Sequence, residues 1–173
     1  MSIILNEEAG KIYYFRITVT NYDLKVRGMP YRVMAIPGNF TLFNLSTEII
    51  DSFNFCYDHC FGFFGFSKRY FWSDERYELF TDLEDYGYLE PQPSFFGGLD
   101  PKKERSGSLV KTFIPEVFDT PKKKMIFLFD YGDQWNFIVQ LQKVEPIDFE
   151  GKYPCICKSV GKSPEQYPDF DDQ

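Results

Sequence analysis

Residues 125–144 run MIFLFDYGDQWNFIVQLQKV, two apolar runs joined by Asp130-Tyr131-Gly132-Asp133-Gln134-Trp135. Met125 to Phe129 is apolar at every position, the pattern of a central strand covered on both faces. Beyond the junction, Trp135, Phe137, Val139 and Leu141 alternate with Asn136, Ile138, Gln140 and Gln142, as in a strand covered mainly on one face. Gly132 between Tyr131 and Asp133 predicts a turn, with the glycine supplying the permissive backbone angle. The segment reads as a β-hairpin whose turn gathers two carboxylates, a Tyr and a Trp.

Working outward, Lys11 to Thr20 alternates Tyr13, Phe15, Ile17 and Val19 with Tyr14, Arg16, Thr18 and Thr20, and Tyr31 to Ile36 repeats the pattern more briefly. Two strands are expected, paired antiparallel. Pro37-Gly38 breaks the second strand, and Leu42, Leu45, Ile49, Ile50 and Phe53 then recur at helical spacing. Thr41 is the expected N-cap of a helix over about 41–54, with Phe40 and Leu45 as a hydrophobic staple. Asn44 stands where a capping box has Glu or Gln, so that box is expected to be missing. His59 to Phe66 is an aromatic strand punctuated by Gly62 and Gly65, and such glycines mark bulges or close backbone contacts.

Residues 67–108 form a long insertion with a short helical piece around 74–86, its rings (Tyr70, Phe71, Trp72, Phe95, Phe96) folding back over the sheet or meeting a partner. Val110 to Phe113 suggests a short strand and Pro115 to Phe118 a helical turn. An irregular acidic tail begins at about residue 146. The expected fold is α+β: a single domain over 1–173, a mostly antiparallel sheet with one principal helix on one face, in strand-strand-helix-strands order.

The chain carries 19 Lys and Arg against 26 Asp and Glu, a formal charge of −7. That balance disfavours the phosphate backbone of nucleic acids and makes a protein the expected partner. No apolar run is long enough to span a membrane, and the N-terminal residues lack the basic and apolar blocks of a signal peptide. The four cysteines do not make a dense disulfide framework. A cytoplasmic location is the resulting expectation.

The strand, strand, PGNFTLFNLSTEIIDSFNF helix, the aromatic strand after Asp58-His59, and Tyr131-Gly132-Asp133-Gln134-Trp135 resemble the plasmid open-reading-frame-three-like family, also labelled TnpR-like passengers of insertion elements. Tyr153-Pro154-Cys155 followed by Ser163-Pro164-Glu165 is similar to the family's closing segment. The resemblance covers roughly 11–66 and 109–170, and it implies a fold more firmly than an activity. Relatives commonly carry His in the middle of the first helix and two residues after the hairpin Trp; this chain has Ser46 and Phe137 there. Any metal or reaction those histidines serve is expected to be lost. The resolvase-like label does not carry over, because a serine recombinase needs clustered arginines and here Arg16, Arg27 and Arg32 are scattered.

Asp130, Tyr131, Asp133 and Trp135, with His59, are the candidate ligand-binding residues; the carboxylates would orient a small ligand or hold a hard cation. The plainer reading is turn chemistry: Asp133 and Gln134 solvated, Trp135 anchored in the core, and Asp130 capping backbone N–H groups at the strand end. Cys56, His59 and Cys60, completed by Cys155 and Cys157, are the zinc candidates, although the spacing departs from the usual knuckles; otherwise no cofactor is expected. On a strand Asp58 would point away from His59. Lys102, Lys103 and Arg105, and Lys122 to Lys124, would touch phosphates or, more simply, keep a neighbouring strand soluble. The expectation is an uncharacterised binding or accessory module, possessing no defined reaction. The alternative is a metal-assisted hydrolase or nucleic-acid-processing factor using Asp130, Asp133 and His59, which requires those side chains to converge.

Overall fold

The computed structural model describes residues 8–21, 23–88, 106–148 and 150–167. Its frame is one antiparallel sheet of seven strands: β1 (Lys11–Thr20), β2 (Tyr31–Pro37), β3 (Phe61–Gly65), β4 (Arg76–Glu78), β5 (Lys124–Phe129), β6 (Trp135–Pro146) and β7 (Cys155–Val160). They lie side by side in the order β4-β3-β5-β6-β1-β2-β7. The α+β expectation holds, with α1 (Leu42–Ser52) as the principal helix beside two short ones, α2 (Leu79–Asp85) and α3 (Ile114–Val117).

β5 occupies the place its composition demands, between β3 and β6. Met125, Phe127 and Phe129 enter the main core, and Ile126 and Leu128 enter a second cluster with Phe64, Tyr70 and Ile138 on the opposite face. β6 is covered on both faces over its first half, since Asn136 and Ile138 are buried along with Phe137 and Val139. The main core takes Tyr13, Phe15, Ile17 and Val19 from β1 and the expected stripe Leu42, Leu45, Ile49, Ile50 and Phe53 from the helix. Its rings interlock: Phe127 lies 4.9 Å from Phe63, 5.9 Å from Phe61 and 5.8 Å from Phe137, centroid to centroid.

Both ends of α1 are closed by identifiable bonds. Thr41 is the N-cap, and the capping box is present after all: Asn44 N–H donates to Thr41 Oγ1 at 3.3 Å, while Asn44 Oδ1 accepts from Thr41 N at 3.0 Å. An amide oxygen does what a longer Glu would do. At the far end Asn54 adopts φ +58°, Asn54 N–H donates to Asp51 O at 3.0 Å, and Phe55 N–H donates to Ile50 O at 3.2 Å. That Schellman geometry turns the chain towards β3.

Several expectations are corrected. Residues 110–113 are not a strand; only Phe113 bridges, to Thr41. The segment instead gives its carbonyls to the first turn of α1, from Leu42 N–H to Thr112 O (2.9 Å) and from Phe43 N–H to Leu109 O (3.0 Å). The aromatic strand begins at Phe61, so His59 and Cys60 lie in the loop before it. Gly62 there is a close-contact glycine: a Cβ would stand 2.9 Å from the Tyr77 carbonyl oxygen. The tail is not irregular throughout, for Cys155 to Val160 forms edge strand β7 on β2. Within the insertion, Arg76 to Glu78 extends the sheet beside β3 and α2 supplies the helical piece. Tyr70 is buried and Phe71 packs on the second cluster, while Trp72 is 59% exposed; Phe95 and Phe96 lie outside the described residues. Pro115 sits in the first turn of α3, as expected.

Phe127 is the ring on which the core register turns. Phe127→Ala should destabilise the protein by about 3–5 kcal/mol, measured by urea unfolding, whereas Phe66→Ala, on a ring 42% exposed, should leave the midpoint nearly unchanged.

Candidate functional site: an acidic cluster around the single histidine

Three separated segments meet at one end of the β3–β5 pair. The Schellman turn after α1 sends Phe55 into the main core, where it packs edge-on to Trp135 at 4.9 Å and lies 6.2 Å from Phe129. Tyr57 packs on Phe61 (5.3 Å) and Phe43 (6.1 Å), and remains 42% exposed. Asp130 N–H donates to Cys60 O at 3.0 Å, prolonging the β3–β5 ladder past its last named pair, Phe61 and Phe129. The strand ends therefore bring the His59 and Asp130 side chains together, with Nε2 3.5 Å from Asp130 Oδ2.

The hairpin turn is built by Asp130. Its own φ is +58° and that of Gln134 is +55°, whereas Gly132 does not take a positive φ, contrary to expectation. Asp130 tolerates that conformation because its side chain bonds locally. Oδ1 accepts from Gly132 N at 2.8 Å and Asp133 N at 3.3 Å, and the Asp130 carbonyl accepts from Gln134 N at 2.8 Å. The carboxylate caps the strand end as the sequence suggested, and its second oxygen stays turned to the histidine. Asp130 itself is buried, while Asp133 and Gln134 are exposed.

Asp58 does not point away from His59. Freed from strand geometry, its Oδ1 lies 2.8 Å from His59 Nδ1. The third segment, absent from the sequence-based site, is the stretch after β7. Gln166 is buried, and its side-chain amide pairs with the Cys56 backbone as a peptide would: Oε1 accepts from Cys56 N at 2.5 Å and Nε2 donates to Cys56 O at 3.3 Å. Nε2 also reaches Asp58 Oδ1 at 3.1 Å. Tyr167, half exposed, donates its hydroxyl to Asp58 Oδ2 at 2.6 Å. Arg32 holds this tail in place, donating to Ser52 O (3.0 Å), Val160 O (3.3 Å), Gly161 O (3.3 Å) and Ser163 Oγ (2.7 Å) over the Phe53 ring. Between Arg32, Phe53, Cys56, Ser163, Gln166 and Tyr167 lies a shallow groove of about 570 Å³.

The electrostatics arise from these contacts. The Tyr167 hydroxyl and then His59 hold the Asp58 carboxyl below its ordinary value. The Asp58 hydrogen bond, reinforced by the charges of Asp130, Asp58 and Asp133, raises His59. Hydrogen bonding to Asp58 pushes the Tyr167 phenol up to about 12. The carboxylates around it thus favour the cationic form of the imidazole.

Of the sequence-based set, His59 and Asp130 come together, and Asp133 is near enough to act on the imidazole. Tyr131 leaves the group: it packs on the second cluster and donates to Glu78 Oε1 at 2.8 Å. Trp135 packs on Phe55 in the main core, its Nε1 buried with no hydrogen-bond partner among the described residues. Ser46 and Phe137, where relatives commonly have His, are both fully buried; Ser46 Oγ donates to Phe43 O at 2.7 Å, and Phe137 packs 5.1 Å from Phe53. Among the described residues no three of His, Cys, Asp and Glu are grouped to hold a metal ion, so Cys56 and Cys60 do not join Cys155 and Cys157 around one point. Lys123 pairs with Glu75 at 2.6 Å and Lys124 lies over Phe66, so this basic run serves local structure; Lys102, Lys103 and Arg105 lie outside the described residues.

A family model described as plasmid pRiA4b ORF-3-like protein matches residues 11–167. The chain belongs to that family. The matched span takes in all three segments of the His59 cluster. Among solved structures, the crystal structure of a protein of unknown function from Methanosarcina mazei Go1 is similar, with a TM-score of 0.64 at 17% identity over 89% of this chain and 71% of that one. At that identity the likeness concerns the fold alone. No curated protein matches the chain. Among the described residues no helix is long and apolar enough to cross a membrane.

His59 is the single histidine of the family member, so its titration is directly readable by NMR. Its midpoint should lie above the ordinary 6.5. A raised histidine stabilises fully below 6.5, and its contribution is lost as pH rises through the raised value. A depressed carboxyl stabilises above its ordinary 3.8, and that contribution is lost as pH falls through the lowered value. The two overlap between 3.8 and 6.5. His59→Gln should therefore lower the melting temperature more at pH 5.5 than at pH 9, by differential scanning fluorimetry; an equal loss at both would contradict the assignment.

Proposed function

We propose that the protein is a cytoplasmic binding module that captures a basic segment of a partner protein at the His59 cluster. The observation that carries this reading is the convergence of Asp58, Asp130 and Asp133 on one imidazole, beside Tyr167, which is 50% exposed. Three carboxylates against one imidazole leave the cluster negative whether or not the ring is protonated, and the exposed phenol ring next to it suits Lys or Arg side chains through cation–π contact. The chain's net charge of −7 adds long-range attraction for a basic partner. Both imidazole nitrogens face carboxylates, an arrangement suited to holding charge rather than to accepting a substrate proton. The family's description as a plasmid reading frame fits an accessory role of this kind.

A second reading, metal-assisted hydrolysis through Asp130, Asp133 and His59, draws on the 3.5 Å approach of His59 to Asp130. It requires divalent-metal binding that Asp130→Asn removes; calorimetry showing no heat with Zn²⁺, Mn²⁺ or Mg²⁺ eliminates it.

For the binding reading, a fluorescently labelled Lys/Arg-rich peptide should bind with an affinity that falls as salt rises. Asp133→Asn should weaken it about fivefold by anisotropy, the effect of one exposed charge contact. Asp119→Asn, at an exposed acid outside the cluster, should not. Equal losses in the two variants would reduce the effect to overall charge and overturn the proposal.

A further inference from the structure

Arg32 fastens the segment after β7, yet its charge is left unanswered. The side chain is buried, and a buried guanidinium ordinarily meets a carboxylate. Here it meets carbonyl dipoles and a hydroxyl instead. Nε donates to Ser52 O at the end of α1, where the helix dipole offsets part of the charge. Nη1 is shared among Tyr31 O, Val160 O and Gly161 O. Nη2 donates to Ser163 Oγ at 2.7 Å, and the second N–H of that nitrogen has no acceptor among the described residues. No carboxylate among the described residues stands within ion-pair distance of Arg32. Glu165, which follows Ser163 closely, pairs with Lys162 at 3.2 Å.

The guanidinium lines the shallow groove, beside Ser163 and Asn54. Ser163 Oγ accepts from Arg32 and keeps its own proton to donate. Asn54 is exposed, and its side-chain amide has no partner among the described residues. Three donors thus border the same space, one of them on a buried cation. Gln166 and Tyr167, also on the groove wall, bond to Asp58 in the His59 cluster. The groove therefore joins a positive site that lacks an anion to a negative site suited to cations.

We propose that the groove receives a terminal carboxylate, so that the captured segment is the basic C-terminus of a partner rather than an internal stretch. Arg32, Ser163 and Asn54 take the carboxylate, while Asp58, Asp130 and Asp133 take the basic side chains that precede it. The inference rests on the reading of the His59 cluster as a site for a basic segment. A carboxylate accepts several N–H and O–H groups at once, and bonds between charged partners are the strong ones. At a guanidinium shielded from water the attraction is little screened. An internal segment has no charge to offer there.

The test measures anisotropy of one labelled Lys/Arg-rich peptide on the full chain, with its terminal carboxylate free, amidated, or displaced by appended glycines. Attraction to a chain of net charge −7 by itself favours the amide, which carries one negative charge fewer. A carboxylate receptor reverses that order. The free acid should bind about tenfold more tightly than the amide, the effect of one charge-assisted contact, and the glycine-extended peptide should bind like the amide. Asn54→Asp keeps a residue that tolerates φ +58° and sets a negative charge on the groove wall. It should abolish the preference for the free acid with circular dichroism unchanged. An amide that binds as well as the acid or better overturns the carboxylate site, and the basic-segment reading survives that result if Asp133→Asn still weakens both peptides. Asn54→Asp weakening acid and amide alike also overturns the site. Failure of every peptide to bind overturns both readings together.

Discussion

The constraint on which the structure depends is the burial of β5 on both faces. Met125 through Phe129 expose nothing, and the alternate side chains feed two separate clusters. A strand of this kind must be paired on both edges, because its backbone N–H and C=O groups have no water to turn to. β3 and β6 fill those places, and β1, β2 and β7 extend the sheet from β6. A slip of one residue would drive Phe127 and Ile126 into each other's clusters, so the register is fixed by packing. The site inherits this precision. Because Phe61 faces Phe129, Cys60 meets Asp130 and the histidine before it meets the Asp130 carboxylate.

The features legible in the sequence were those the core imposes. The hairpin, the β1–β2 pair and the stripe of α1 could be read because buried side chains recur with period two or 3.6. β7 could not, since five of its six residues are exposed and it has no apolar face to alternate. Residues 110–113 failed for a different reason: Val110 and Phe113 look like strand residues, but their segment is spent on closing the N-terminus of α1. The same holds in the turn. Gly132 drew the reading because glycine is permissive, yet Asp130 and Gln134 take the left-handed conformations. The Asp130 carboxylate was legible as a cap for backbone N–H groups, but not that its own backbone would take the left-handed conformation in doing so.

Half of the site was hidden by distance along the chain. Asp130 and His59 were candidates on their own chemistry, but Gln166 and Tyr167 enter only because β7 ends beside β2 and Arg32 fastens the segment after that strand. Arg32 is 5% exposed, and its donors are divided among four backbone carbonyls and a serine hydroxyl. Burial lowers its pKa from the ordinary value without removing the charge. A lysine would offer a compact ammonium in place of a planar fork and could not serve those directions together. The tail's Ser163-Pro164-Glu165 was visible as part of a resemblance; its purpose, to bring a glutamine amide against the Cys56 backbone, required the fold.

Edge strand β7 shows how a local distortion protects the edge of a sheet. An exposed strand at the edge of a sheet invites pairing with another chain, and a bulge with a lysine beside it is a common protection. Both are here: the bulge leaves Cys157 unpaired on β2, and Lys158 lies over Tyr31 at 5.9 Å. Arg16 over Tyr31 at 3.8 Å and Lys143 over Tyr14 at 4.4 Å extend the same cover along that face, where rings would otherwise meet water. Straightening the bulge would restore a regular, adhesive edge, so the protection of that edge rests on one extra residue.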